Sequence, residues 1–351
     1  MGGSEPRGLP ALIPLHHPSD ALRPTAIALG SFDGLHPGHR RVIAAITGVA
    51  ADHPHPGPPD VPTVVSFWPH PREVLHGESR LRLDLPAEKL ALLEPLGIRQ
   101  LVLVPFTPEL AALSPAQFVQ QVLVEQLQAR RVAVGENFRF GAGRQGDAAT
   151  LQQLGAAAGM AVQLVPMLHD ADGRLSSSRI RQALATGDLR SAEALLQRPY
   201  GFSGRVVRGR GLGRELGWPT ANLQVDGRKL LPLEGVYAAR AWLADAGGGA
   251  AGAAMAAVMN LGPQPTVDPL APSAVEVHLL DRQIQLEGAQ LWVEPVLLLR
   301  RQQRFSGLEA LCAQISRDAD SARQVLASAG GVGVGEPPGD EQTDATQEQQ
   351  A

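Results

Sequence analysis

Cysteine is almost absent from this chain. Cys312 stands alone among 351 residues, which excludes an intramolecular disulfide and fits a reducing compartment. Lysine is scarce as well, occurring only at Lys89 and Lys229, so arginine carries nearly all the positive charge. Set against abundant alanine, glycine and proline, that bias reads as a property of the coding sequence rather than of function. No apolar run reaches the ~18 residues of a membrane helix, and residues 1–10 lack the apolar core of a signal peptide. A cytoplasmic protein with no membrane partner is expected. The formal net charge of −4 gives no global basic field, which argues against nucleic acid as a partner. An anionic ligand must then be held by local groups.

The length suffices for two domains, each with its own core. Short apolar runs at 25–30, 63–67, 100–104, 131–135 and 161–165 read as strands. Helical patterns at 40–51, 87–96, 115–129, 148–158 and 191–196 alternate with them, and the proline- and histidine-rich stretch 52–62 reads as a loop. That alternation predicts right-handed βαβ units and a parallel sheet. After Tyr200 the texture changes. Strand candidates at 204–207, 235–242, 254–259, 274–280 and 291–299 are separated by glycine and proline, with a hairpin connection at 245–252, which predicts a small antiparallel barrel. One closing helix is expected over 308–326, with Leu308, Leu311, Ile315 and Ala319 on one face. The division expected is an α/β domain with a parallel sheet over 20–198, a barrel domain over 199–327, and a disordered tail over 328–351.

Two segments carry phosphate chemistry. The first, Gly-Ser-Phe-Asp-Gly-Leu-His-Pro-Gly-His at 30–39, leads from a strand through a glycine-containing loop into a helix with Pro37 near its first turn. Such a helix start offers free N–H groups and the positive end of the dipole. His36 and His39 are three residues apart, so both can face one ligand. Gly30, Phe32, Asp33, Gly34 and Gly38 complete the candidate loop. Pro69, His70 and Pro71 follow a strand end, as do Asn137, Phe138 and Phe140, where α/β ligand sites lie. Phe138 and Phe140 are expected to flank a planar ring, although buried packing is the commoner fate of such rings. Ser176, Ser177 and Ser178 with Arg179 and Arg181 put hydroxyls and guanidiniums at a helix start, serving as a plain cap or as phosphate ligands.

The second segment runs from Gly209 through Gly211, Gly213 and Arg214 to Thr220 and Asn222. Thr220 and Asn222 share one side of an extended segment, and their neutral oxygens suit a hard cation such as Mg²⁺ alongside phosphate oxygens. Glu276 and His278 share a strand face opposite Val275, Val277 and Leu279. A carboxylate there is placed to accept a hydroxyl proton in phosphoryl transfer, or is simply a solvated strand residue.

Together these segments resemble the bacterial bifunctional riboflavin kinase/FAD synthetases. GxFDGxHxGH matches at 30–39, with further matches at 69–71, 135–141 and 176–181; GxGxGRxLGxPTAN matches at 209–222, GVY at 235–237, NxGxxPT at 260–266 and ExHLLD at 276–281. Ser178 stands where the family usually has threonine, and 282–291 departs from the family's aromatic turn. The resemblance implies phosphorylation of riboflavin by ATP to FMN, then adenylylation of FMN to FAD. It implies Thr220 and Asn222 as Mg²⁺ ligands and Glu276 as catalytic base. His36 and His39 would stabilise charge at the adenylylation site, and the residues at 69–71 and 137–140 would bind flavin. Rival expectations are an adenylyltransferase for another phosphorylated precursor and a flavin-binding protein without catalysis. A homo-oligomer is left open. Residues 330–351 carry almost no large apolar side chain and cannot offset their ordering entropy. Deleting them is expected to leave both activities unchanged in steady-state assays; a large loss of either would show that the tail docks onto a site.

Overall fold

The computed structural model describes residues 15–47, 59–78, 80–209, 213, 217–244, 250–262, 275–282 and 284–329. Six strands form a parallel sheet: β1 (Leu15–His16), β2 (Thr25–Leu29), β3 (Val61–Trp68), β4 (Gln100–Pro105), β5 (Ala129–Gly135) and β6 (Ala161–Val165). Their order is β1-β4-β3-β2-β5-β6. Every residue of β2 is buried, as befits a central strand covered on both faces. After β2 the chain moves outward through β3 to β4, then returns to β2's other side at β5. Ligand crevices in open α/β sheets form at such a reversal, beyond the carboxyl ends of the strands.

Helices α1 (Pro37–Thr47), α2 (Pro71–His76), α3 (Pro86–Leu93), α4 (Ala148–Ala157), α5 (Ser177–Thr186) and α6 (Leu189–Leu196) complete this half. Proline opens α1, α2 and α3, where a missing N–H costs nothing. The expected helix at 115–129 is divided. An α-turn covers Pro115–Phe118, a π-helical stretch covers Val119–Gln126, and Ala129 already belongs to β5. Residues 48–58 of the expected helix end and loop lie outside the described residues.

The second half is a closed antiparallel barrel. Its strands are β7 (Phe202–Val207), β8 (Ala221–Gln224), β9 (Gly235–Ala244), β10 (Ala250–Leu261), β11 (Val275–Leu279) and β12 (Gln290–Arg300), in the order β7-β8-β11-β10-β9-β12. Of the expected hairpin connection, 250–252 belongs to β10 and 245–249 lies outside the described residues. The closing helix α7 (Leu308–Ala329) runs through residues 328 and 329, which the expected tail had claimed. The rest of that tail lies outside the described residues. Ala319 and Ala322 of α7 are fully buried beside Ala238 of β9 and Leu280.

The halves do not keep wholly separate cores. The barrel interior, with Phe202, Tyr237 and Met259, is continuous with Ile180 and Leu184 of α5, Leu196 of α6 and Leu83. Polar contacts cross the same seam. Leu233 N–H donates to Leu184 O at 2.9 Å, and Lys229 pairs with Glu88 at 2.6 Å. Gly201 sits on this junction, where an added Cβ would meet the Trp292 ring at 2.5 Å. Gly201→Ala is therefore expected to destabilise the protein by ~1–3 kcal/mol through overpacking, read as a lower urea midpoint.

Candidate active sites

A cavity of about 1020 Å³ opens at the carboxyl ends of β2, β3 and β5. Its floor is the loop between β2 and α1. Phe32 and Leu35 hold positive φ there, a conformation non-glycine residues adopt only when their surroundings impose it. The surroundings are polar braces. Asp33 accepts N–H groups from Leu83 at 2.9 Å and Asp84 at 3.3 Å, and takes the Arg181 guanidinium on its other oxygen. Asp84 in turn accepts Gly34 N–H at 2.9 Å and Arg198 at 2.8 Å. Ser177 closes the loop against α5 by donating to Asp33 O at 2.7 Å.

His36 and His39 meet over this floor. Their rings stack with centroids 3.7 Å apart, and Phe32 lies edge-on to His39 at 5.4 Å. Burial first, then Arg174 and Arg40, lowers His36 to about 4. Burial, His36 and Lys89 push His39 well below the usual imidazole range. Both rings are thus neutral near pH 7. The Nδ1 atoms of both are buried with no hydrogen-bond partner, which suits a ligand group placed against them.

Most of the expected residues line this cavity: Gly30, Phe32, Asp33, His36, Gly38 and His39, with His70, Pro71, Asn137 and Ser176 through Ser178. Gly34, Pro69, Arg179 and Arg181 do not line it. Arg179 pairs with Asp170 at 2.7 Å, and Arg181 pairs with Asp33. Phe138 and Phe140 also line the cavity. Their rings stack on each other at 5.6 Å, and Phe140 is buried against Phe118. Sequence reasoning missed the cations Arg80, Arg82, Lys89 and Arg174 in the wall. The Arg-Leu-Arg run at 80–82 was the available signal.

A second polar constellation lies on the barrel. Val275, Val277 and Leu279 are buried, so Glu276 and His278 face outward, as expected. Glu276 is directly opposite Asn222 of β8 on one side and Asn260 of β10 on the other. Asn260 Nδ2 donates to Glu276 Oε2 at 3.4 Å, and Gln302 donates to Asn260 Oδ1 at 2.7 Å. His278 Nδ1 lies 2.7 Å from Pro219 O and its ring packs edge-on to Trp218, which pins the strand entry carrying Thr220. An added Cβ at Gly209 would meet the Asn222 amide at 2.0 Å, and one at Gly213 would lie 3.3 Å from Thr220 Oγ1. The glycine backbone therefore closes directly on both candidate cation ligands. Among the described residues no group of three or more His, Cys, Asp or Glu side chains could hold a metal ion. A cation bound by Thr220 and Asn222 would draw its remaining ligands from phosphate and water, and the neutral donors fit that role. Gly211, Arg214 and 263–266 lie outside the described residues. No helix among the described residues is long and apolar enough to cross a membrane.

A cavity at the switch point of a parallel sheet, joined to a closed barrel with its own carboxylate site, defines a two-domain nucleotide-dependent transferase. Comparison with known proteins makes this specific. A model described as FAD synthetase matches residues 19–179, and one described as riboflavin kinase matches residues 196–326. The bifunctional riboflavin kinase/FMN adenylyltransferase of Pseudomonas fluorescens is 37% identical over 92% of this chain and 97% of its own. The protein of the same name from Escherichia coli K12 is 36% identical over 85% and 91%. A solved structure from Streptococcus pneumoniae titled a macrolide-efflux protein superposes with TM-score 0.74 at 26% identity, covering 89% of this chain and 99% of that one. The chain belongs to the bifunctional riboflavin kinase/FMN adenylyltransferase family.

The lowered His36 makes stability depend on pH. Above pH 6.5 the ring is neutral folded or unfolded and contributes nothing. Between 6.5 and about 4 the unfolded chain binds a proton that the folded site refuses, so stability falls as pH falls and the loss levels off below about 4. At pH 5 this amounts to about 2 kcal/mol. His36→Gln is expected to shrink the drop in Tm between pH 7.5 and 5; an undiminished drop would place the titration elsewhere.

Proposed function

We propose that the two family activities are divided between the halves of this chain, over 20–198 for adenylylation and 199–327 for phosphorylation. The protein is a riboflavin kinase and an FMN adenylyltransferase: it makes FMN from riboflavin and one ATP, then FAD from FMN and a second ATP. The observation that carries the division is that Glu276 lies in a row with Asn222 and Asn260 on the barrel, whereas His36 and His39 lie at the end of a different sheet. The cytoplasm is where we place this chemistry, since both steps consume ATP and one thiol offers no disulfide.

In the first step the terminal ribityl hydroxyl attacks the ATP γ-phosphorus, ADP leaves, and Glu276 takes the hydroxyl proton. Mg²⁺, held by Thr220 and Asn222, would supply charge neutralisation on the ATP phosphates. Asn260 orients the carboxylate through its 3.4 Å contact. In the second step a phosphate oxygen of FMN attacks the ATP α-phosphorus and pyrophosphate leaves, so no protein nucleophile is required. Neutral His36 and His39 each keep one ring N–H to donate to phosphate oxygens, and the hydroxyls of Ser176 and Ser178 stand at the α5 start. His70, Pro71, Asn137, Phe138 and Phe140 form the flavin-side wall of the cavity.

Glu276→Ala is expected to lower riboflavin phosphorylation ~10²–10⁴-fold while supplied FMN is still converted to FAD. His36→Ala combined with His39→Ala reverses the pattern, so that riboflavin stops at FMN. Parallel loss of both activities in either folded variant, seen by chromatography, would mean one shared site.

A further inference from the structure

The cavity wall contains a cation that the reaction has not yet used. Arg82 is 6% exposed and lines the cavity. One terminal nitrogen, Nη2, binds Glu73, whose carboxylate also accepts His70 N–H at 2.7 Å. The other, Nη1, is buried with no partner among the described residues. A buried guanidinium donor left unpaired costs free energy unless a ligand completes it. The local charge favours an anion. Burial and the like charge of Arg181 lower Arg80 beside it, with Arg72 and Arg82 adding to that effect and Asp33 opposing it.

Arg82 is not held by its own domain alone. Its backbone is gripped on both sides by the barrel segment between β8 and β9: Arg82 N–H donates to Arg228 O at 2.7 Å, and Leu230 N–H donates to Arg82 O at 2.8 Å. Between those two bonds sits Lys229, fully buried. Its ammonium donates to Leu83 O at 2.7 Å and to Glu88 at 2.6 Å, and lies 4.8 Å from the Tyr200 ring centroid. Arg82 and Arg228 also both lie over the Trp68 ring, at 5.0 and 5.1 Å. The geometry points to Arg82 as a phosphate-binding residue of the adenylylation site, held in position by Lys229 of the kinase domain. This rests on reading the N-terminal cavity as the site of FMN adenylylation. The ligand chemistry is a phosphate group, from FMN or from ATP.

The test uses the full-length chain and follows supplied FMN to FAD with each substrate varied in turn, alongside riboflavin to FMN. Arg82→Gln is expected to raise one KM by about tenfold or more, as for loss of a charge-assisted hydrogen bond, and to leave riboflavin phosphorylation unchanged. A rise in the FMN KM assigns the flavin phosphate; a rise in the ATP KM assigns the triphosphate. Lys229→Met raises the same KM by a smaller factor. Because that change orphans Glu88, the variant E88Q/K229M, with both charges removed, is measured with its Tm. The positioning role holds if Tm recovers toward the parent while the KM stays high. Recovery of KM together with Tm would show that the orphaned carboxylate caused the defect, and would overturn the role of Lys229. Unchanged KM values for both substrates in Arg82→Gln overturn the proposal whatever happens to kcat. A parent protein that makes no FAD from FMN would instead sink the reading of the cavity itself.

Discussion

A lysine with no exposed surface must meet its counter-charge inside the protein, because an uncompensated buried charge is among the costliest features a fold can carry. Lys229 meets Glu88, which lies 141 residues earlier in the chain. Much of the molecule follows from that pairing. Glu88 also accepts Leu85 N–H at the start of α3 and Ser203 N–H of the barrel. Leu83, whose carbonyl receives the lysine, donates its own N–H to Asp33. Asp33 is the brace of the loop that carries His36. Lys229, Glu88, Leu83 and Asp33 are all buried, so the barrel is tied to the floor of the other domain's cavity by contacts shielded from water.

Two steps at two places on a common frame suit the chemistry. Each step is phosphorus transfer with little covalent work for the protein, so positioning and charge stabilisation carry the catalysis. On the division proposed above, the barrel's carboxylate between two asparagines on an outward strand face is where a hydroxyl and a cation-bound nucleotide would meet. The parallel sheet presents neutral histidines and a basic wall, where on the same division two polyanions would be brought together. The product of the first arrangement is the acceptor in the second. The halves were expected to have independent cores, but Lys229 and the apolar seam running from Leu184 to Tyr237 make the barrel part of the adenylylation domain's support.

The fold was legible wherever pattern is local. The strand at 161–165 matched residue for residue, and the alternation of Val275, Glu276, Val277 and His278 gave the correct faces. What the sequence could not show depended on tertiary partners. The segment carrying Thr220 and Asn222 was read as extended, but not as a barrel strand; pairing of Ala221–Gln224 with β7 and β11 makes it one. Phe138 and Phe140 do line the cavity, but sequence could not show that their rings stack on each other and that Phe140 packs on Phe118. Arg179 and Arg181 were read as phosphate ligands, and the sequence does not show their ion pairs with Asp170 and Asp33. The two lysines were taken as a trace of coding bias, yet both are buried in the braces around one cavity, Lys89 on Ser31 O and Lys229 on Glu88. Motif spacing located the sites; the cations that shape them came only from tertiary structure.

One chain runs two successive transfers with FMN as a released or passed intermediate. The most direct measurement is a progress curve from riboflavin, ATP and Mg²⁺, with FMN, FAD, ADP and pyrophosphate all quantified. FMN is expected to appear first and FAD after a lag. One ADP is expected for every flavin phosphorylated and one pyrophosphate for every FAD. FMN that accumulates without FAD or pyrophosphate, or flavin left unchanged while ATP persists, would contradict two successive transfers on one chain.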